Sequence, residues 1–307
     1  MSTGYLSPPS CGAHTVPDWH PECAARLRVI HDELAVTGIA DLLRHPDSGA
    51  AERAALLRVH DPAYVQSILD LADVRSMVAL DEDTYVGPGS VDAALHAAGA
   101  ALRATDLVLD GGFRNAFCAV RPPGHHAGRD SAMGFCLFNN LAIGVMQALE
   151  VHGLSHVAVI DFDAHYGNGT TSLFAHEPRV LVCSLYQEAL FPWMYPPARD
   201  ASLVNAALPA GSGGEDMQAL LSRAWLPALD AFRPQMVFVS AGFDAHREDE
   251  MSELAFSDDD YEWLTRLAVN AADRHANGRL VSVLEGGYAL PALARSVVRH
   301  VRVLSGL

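Results

Sequence analysis

Five short apolar runs punctuate the chain: AFCAV at 116–120, HVAVI at 156–160, RVLVCSL at 179–185, MVFVSA at 236–241 and LVSVL at 280–284. Each is continuous rather than alternating, the pattern of strands covered on both faces. Between them lie helix-like stretches: 91–109 after the cap candidate Ser90, about 137–152, 215–231, 258–276 after Ser257, and 289–304. The alternation predicts βαβ units, hence an α/β fold whose mostly parallel sheet carries helices on both faces. The first 90 residues read as helices and loops with one weak strand.

In an open parallel sheet, ligands bind beyond the carboxyl ends of the strands. Four of the runs end in reactive side chains or glycine turns: AFCAV leads into RPPGHHAG, HVAVI into DFDAHYGNG, MVFVSA into GFDAH, and LVSVL into EGGY. All four endings are expected on one rim, and that convergence outweighs any single motif.

Composition narrows the class. Half of the 307 residues are apolar and 19% are charged, enough for a large core, and no linker divides the chain, so one domain over 1–307 is expected. The formal net charge of −16 argues against nucleic acid and for cationic small molecules or basic peptides. Five scattered cysteines, none in a Cys-x-x-Cys arrangement, suggest neither a disulfide framework nor a zinc knuckle and fit a reducing cytoplasm. No export signal or membrane-length apolar run is expected.

The rim residues have a chemistry. Asp161, Asp163 and His165 stand at alternate positions, so in extended chain Asp163 and His165 project together with Asp161 behind them. Asp244, after the next apolar strand, supplies a third candidate ligand. Three mixed O and N ligands leave an open position, the arrangement of a catalytic zinc site, where a bound water is acidified toward attack on a carbonyl. Two carboxylates also make the site hard enough for Fe(II) or Co(II). His125 and His126 follow prolines and a glycine that hold their loop in a fixed path; one imidazole is placed to take a proton and the other to remain cationic or serve the leaving amine. Asp161 and Asn168 are the candidate partners of the histidines. A carboxylate partner raises a histidine pKa, and a neutral amide does not. Tyr288, after Gly286 and Gly287, is a candidate oxyanion donor.

These residues resemble the zinc-dependent histone deacetylase and acetylpolyamine amidohydrolase family, in particular its bacterial class II histone deacetylase-like amidohydrolases. The resemblance includes HPE at 20–22, VHDPAYV at 59–65, RPPGHHA at 121–127, GFCLFNN at 134–140, DFDAHYGNG, SAGFDAH at 240–246 and EGGY at 285–288, in family order over almost the whole chain. It implies the arginase-deacetylase fold, with a central sheet of about eight strands. It implies removal of acetyl or other acyl groups from acetylated amines, most of all acetyl-lysine side chains, with acetylpolyamines as the alternative. By the same resemblance Asp163, His165 and Asp244 hold zinc, His126 paired with Asn168 is the base, His125 pairs with Asp161, and Tyr288 polarises the amide carbonyl. Gly134, Phe135, Phe191, Met251 and Asp83 would line the substrate tunnel. A potassium ion is expected on Asp161, Asp163, His165, Ser184 and Leu185, and Arg26 is placed in an inner acetate cavity. A homo-oligomer is expected from family analogy alone.

Three departures stand out. Tyr166 replaces a second histidine after the ligand motif, the segment after Phe191 is short, and the loop after Asp244, AHREDEMSELAFS, lacks the usual Gly-Asp-Pro. Polyamine-selective relatives carry a glutamate at the tunnel mouth; its counterpart here is Met251, beside Glu250. Glu248, Asp249, Glu250 and Glu253 read either as an acidic rim or as a solvated loop. A dimanganese ureohydrolase is disfavoured because Gly167 and His246 stand where it needs aspartates. A non-catalytic acyl-amine binding protein is the remaining alternative, although no ligand, histidine or tyrosine of the pattern is missing.

Overall fold

The computed structural model describes residues 2–194, 200 and 202–307. Nine strands are present among these residues: β1 (Thr3–Leu6), β2 (Val78–Ala79), β3 (Tyr85–Val86), β4 (Asn115–Cys118), β5 (Val157–Asp161), β6 (Val180–Gln187), β7 (Leu203–Leu208), β8 (Met236–Ala241) and β9 (Leu280–Leu284). Seven of them form one sheet in the order β1-β4-β9-β8-β5-β6-β7, and every pairing in it is parallel. The sheet therefore has seven strands where about eight were expected. β2 and β3 form a separate small antiparallel hairpin.

The central strands are apolar on both faces because helices cover both. α4 (Ser90–Leu109) and α5 (Asn140–Met146) pack on each other and on β4, β8 and β9. α9 (Leu290–Leu304) packs on β4 beside α1 (Ala25–Val36) and α8 (Asp258–His275), and α7 (Gly214–Phe232) lies along β6 and β7. β5, β8 and β9 are buried along their whole length, as strands sandwiched between helix layers must be.

The caps differ in detail from the sequence reading. Ser257 does precede α8, its N–H and hydroxyl both bonded to the Asp260 carboxylate at 2.8 and 2.7 Å. Ser90, by contrast, is the first residue inside α4; Gly89, at φ 82°, is the cap, and the Ser90 hydroxyl instead accepts from the Gly87 N–H at 2.9 Å. The first 90 residues hold three strands, β1, β2 and β3, where one weak strand was expected, and two later elements have weak sequence signals. β7 is an edge strand with a half-buried pattern and a mid-strand asparagine, which weakens its apolar signal. α6 (Asn168–Phe174) begins inside the DFDAHYGNG motif, where glycines mask the helical period.

The sheet order decides where the site sits. β4, β9, β8 and β5 are four consecutive neighbours. Being parallel, they deliver the four motif endings to one edge, as the rule for open sheets requires.

Candidate active site

The residues carried by these four strand ends meet at a cavity of about 160 Å³ lined by Asp83, Pro123, His125, His126, Gly134, Phe135, His165, Phe191, Met251, Gly286 and Tyr288. Two phenylalanines stand among the lining residues. Phe135 packs edge-on against Tyr288 at 5.8 Å and His20 at 4.5 Å, while Phe191 packs edge-on against His126 at 5.1 Å and His165 at 6.2 Å. Every tunnel residue expected from the sequence is therefore on the cavity wall. Such a narrow, mostly aromatic slot suits an unbranched aliphatic chain.

At its base Asp163, His165 and Asp244 are buried, with one donor atom from each within 4.8 Å of the others. His165 Nδ1 lies 3.0 Å from Asp163 Oδ1 and 3.0 Å from Asp244 Oδ2. Burial opposes charge on His165, but the two carboxylates outweigh it and hold its pKa well above the ordinary value. Asp244 is pushed up to about 6 by burial and by the negative charge of Asp163. Excess buried negative charge with mixed O and N donors fits a divalent cation. Gly286 closes the group from below: a side chain there would come within 2.1 Å of Asp244 Oδ2 and 2.6 Å of Asp163 Oδ2, so only glycine leaves the carboxylates free to converge.

The histidine pair has the unequal partners the chemistry asks for. His125 Nδ1 is 3.1 Å from Asp161 Oδ2, and His126 Nδ1 is 2.7 Å from Asn168 Oδ1. Burial works against the His125 cation, but Asp163 and Asp161 reverse the balance and raise its pKa. At His126 burial and the neighbouring His125 and His165 act together and depress the pKa. The Asn168 amide points its nitrogen at Met133 Sδ, 3.4 Å away, which leaves its oxygen to accept from His126 Nδ1–H. That fixes the tautomer with the Nε2 lone pair free.

Glu285, which the sequence reading left without a role, positions the loop. Its Oε2 accepts from the N–H groups of Gly124 and His125 at 2.7 and 3.1 Å, and burial raises its pKa to about 7. Only its place in EGGY hinted at this. His20 of the HPE motif also gains a function: its Nε2 donates to the Asp83 carbonyl at 3.0 Å, joining the Asp83 rim to the Phe135 wall.

Arg26 does not line the cavity. It is fully buried behind Tyr288, its guanidinium carbon 4.8 Å from the phenol ring centre, and it donates to Gly287 O, Glu22 and Glu285 O. Glu22 in turn bridges to Arg121 at 2.6 and 2.8 Å. The pair of cations holds Glu22 at a pKa of about 2 against the opposing effect of burial.

Ser184 stands opposite Asp161 in the pairing of β6 with β5, and its hydroxyl is buried with no hydrogen-bond partner among the described residues. An orphaned buried oxygen beside Leu185 fits the expected potassium ligand. Tyr166 packs against Tyr186 with ring centres 5.0 Å apart, a packing change away from the cavity wall. The segment following Phe191 falls partly outside the described residues, at 195–199 and 201.

The acidic loop resolves unevenly. Met251 faces the cavity, Glu248 pairs with Arg295 at 2.7 Å, and Asp249 is turned inward; Glu250 is exposed. His246 is buried beside Asp258 at 3.3 Å, and Asp163, His165 and Asp244 are the one metal-type group among the described residues.

The parallel sheet thus brings a carboxylate–imidazole group that could hold a metal ion, paired histidines and a tyrosine together at one strand rim. Residues 20–304 match the histone deacetylase domain family. The chain is 38% identical to a histone deacetylase-like amidohydrolase of Pseudomonas aeruginosa, over 99% of this chain and 80% of the relative. It is 34% identical to the mouse polyamine deacetylase HDAC10, over 94% of this chain and 46% of that protein. The solved structure of the HDA15 HD domain superposes with a TM-score of 0.92 at 30% identity, covering 99% of this chain and 90% of that one. The chain belongs to the histone deacetylase family, an enzyme family of deacetylases and amidohydrolases.

Proposed function

We propose that residues 1–307 form one zinc-dependent deacetylase domain that removes acetyl groups from acetyl-lysine side chains. The observation that carries this reading is the aromatic slot between Phe135 and Phe191, which ends on Tyr288, the histidine pair and the Asp163–His165–Asp244 group.

Zinc held by Asp163, His165 and Asp244 would supply the positive charge that acidifies a water and polarises the acyl oxygen. The chain's own residues do the rest. His126, neutral because it is buried beside His125 and His165 and has an amide rather than a carboxylate as its hydrogen-bond partner, accepts the water's proton at Nε2. His125 stays cationic against Asp161 and adds positive charge beside the reacting carbonyl. Tyr288, whose pKa is raised by burial, keeps its proton and donates a hydrogen bond to the developing oxyanion. The histidine pair returns a proton to the leaving amine, and acetate is the second product. Potassium on Asp161, Asp163, His165, Ser184 and Leu185 would fix the strand end that carries Asp161. Five free cysteines agree with a reducing cytoplasmic setting.

Acetyl-lysine is favoured over an acetylpolyamine because the wall position at the mouth is the neutral Met251, and the nearby acids Asp249 and Glu248 are engaged within the protein. The polyamine reading retains two supporting features, the Asp83 carboxylate on the cavity wall and the exposed Glu250 beside Met251. The deciding experiment compares kcat/KM of the zinc-loaded protein on an acetyl-lysine peptide and on N-acetylputrescine. Preference for the peptide supports the proposal; tenfold preference for the diamine, about 1.4 kcal/mol, replaces it with the polyamine reading.

A further inference from the structure

Asp249 has no part in the chemistry above, yet it is only 6% exposed in a loop whose sequence looks solvated. It forms no ion pair among the described residues, although such buried carboxylates are normally paired. Its hydrogen bonds go to backbone instead. Oδ2 accepts from the N–H groups of Tyr288 and Ala289 at 2.6 and 2.9 Å, and Oδ1 accepts from Met251 N–H at 3.1 Å. Its own N–H donates to His246 O at 2.8 Å, which anchors it to the Asp244 loop.

The two loops joined in this way follow adjacent strands, β8 and β9. The β9 loop reaches Tyr288 through Gly286 and Gly287, the latter at φ 117°, a backbone that contributes little stiffness of its own. Two charge-assisted bonds to successive N–H groups, at the start of α9 where the helix dipole also favours an anion, supply what the glycines lack. The third bond places Met251 from the same carboxylate.

We infer that Asp249 is the positioning residue for Tyr288 and Met251, fixing the oxyanion donor and the tunnel wall against each other from one buried carboxylate. This inference rests on the deacetylase reading for its kinetic consequence. Asparagine matches the size of Asp249 but offers one accepting oxygen in place of two, so at least one N–H must face an amide N–H.

The test uses the zinc-loaded full chain and an acetyl-lysine peptide. Asp249→Asn should lower kcat about 10- to 100-fold, the scale of an ångström-level misplacement, with zinc content unchanged. Asp249→Glu, which keeps the carboxylate, should recover most of that loss. In a Tyr288→Phe background Asp249→Asn should cost less than about threefold more, because the group it positions has already lost its proton donor. A fully multiplicative loss in that background, or unchanged kcat in Asp249→Asn, overturns the inference. Amide hydrogen exchange over residues 285–290 gives a readout independent of turnover: faster exchange in Asp249→Asn supports the positioning role and unchanged exchange overturns it. If the unsubstituted protein hydrolyses neither the peptide nor N-acetylputrescine, the deacetylase reading falls and the exchange result alone decides the role of Asp249; if it hydrolyses only the diamine, the same variants are compared on that substrate.

Discussion

Replacing Met251 with glutamate tests how the tunnel mouth selects its substrate. Met251 is partly exposed on the cavity wall, and its backbone N–H is held by Asp249, so a polar side chain of similar length at this position keeps its place without disturbing the core. The new carboxylate would stand on the same cavity wall as Asp83. For a protonated amine at about 5 Å in a half-solvated mouth of effective dielectric about 40, the attraction is roughly 1.7 kcal/mol, and part of it is offset by desolvation. A net gain of about 0.5 to 1.5 kcal/mol corresponds to a roughly twofold to twelvefold rise in kcat/KM for N-acetylputrescine relative to an acetyl-lysine peptide with no free amine near the acyl group. The assay is the ratio of the two kcat/KM values at about 0.1 M and about 1 M salt, where the screening length falls from roughly 10 to 3 Å. The ratio should rise in Met251→Glu and fall back at high salt. An unchanged ratio, or a change indifferent to salt, would show that residue 251 does not meet the substrate's distal end.

Two further outcomes follow from the same geometry. Tyr288→Phe should reduce kcat by about two to three orders of magnitude with zinc retained, the cost of one oxyanion donor; near-normal turnover on the acetyl-lysine peptide removes Tyr288 from the mechanism. His300 offers a stability test. It is completely buried between Thr265 Oγ1 at 2.7 Å and Ser282 Oγ at 2.9 Å, and burial lowers its pKa to about 3. Because the folded pKa lies below the unfolded value near 6.5, the unfolded chain binds the extra proton. This contribution to stability is complete above about pH 6.5 and is lost as pH falls toward 3. Urea unfolding of wild type and His300→Gln from pH 7 to 4.5 should show the variant gaining on wild type by about 1.4 kcal/mol per pH unit below pH 6. Parallel stability curves contradict a neutral buried His300.

Much of the fold is legible in the sequence because its central strands are apolar on both sides and end in motifs. HVAVI, MVFVSA and LVSVL correspond closely to β5, β8 and β9, and the glycine and histidine turns that follow them mark the strand rim. β7 escaped because an edge strand needs only one well-buried face, and LVNAAL carries Asn205 in its middle. Asp249 shows a different limit. Within REDEM nothing distinguishes the one carboxylate that turns inward from those that meet solvent or Arg295; only the positions of the Tyr288 and Ala289 N–H groups, far along the chain, make the distinction. Glu285 was hidden for a similar reason, since its partners Gly124 and His125 lie 161 and 160 residues away. The rim residues were easier, because alternate positions at a strand end must project together whatever the tertiary context.

The most direct test of the central claim is acetate release from an acetyl-lysine peptide by protein stripped with a chelator and then titrated with zinc. The account predicts no turnover in the stripped protein, full recovery at one zinc per chain, and loss of that recovery when Asp244 is replaced by asparagine. Turnover that survives stripping, or zinc binding at one per chain with no acetate released, would contradict it.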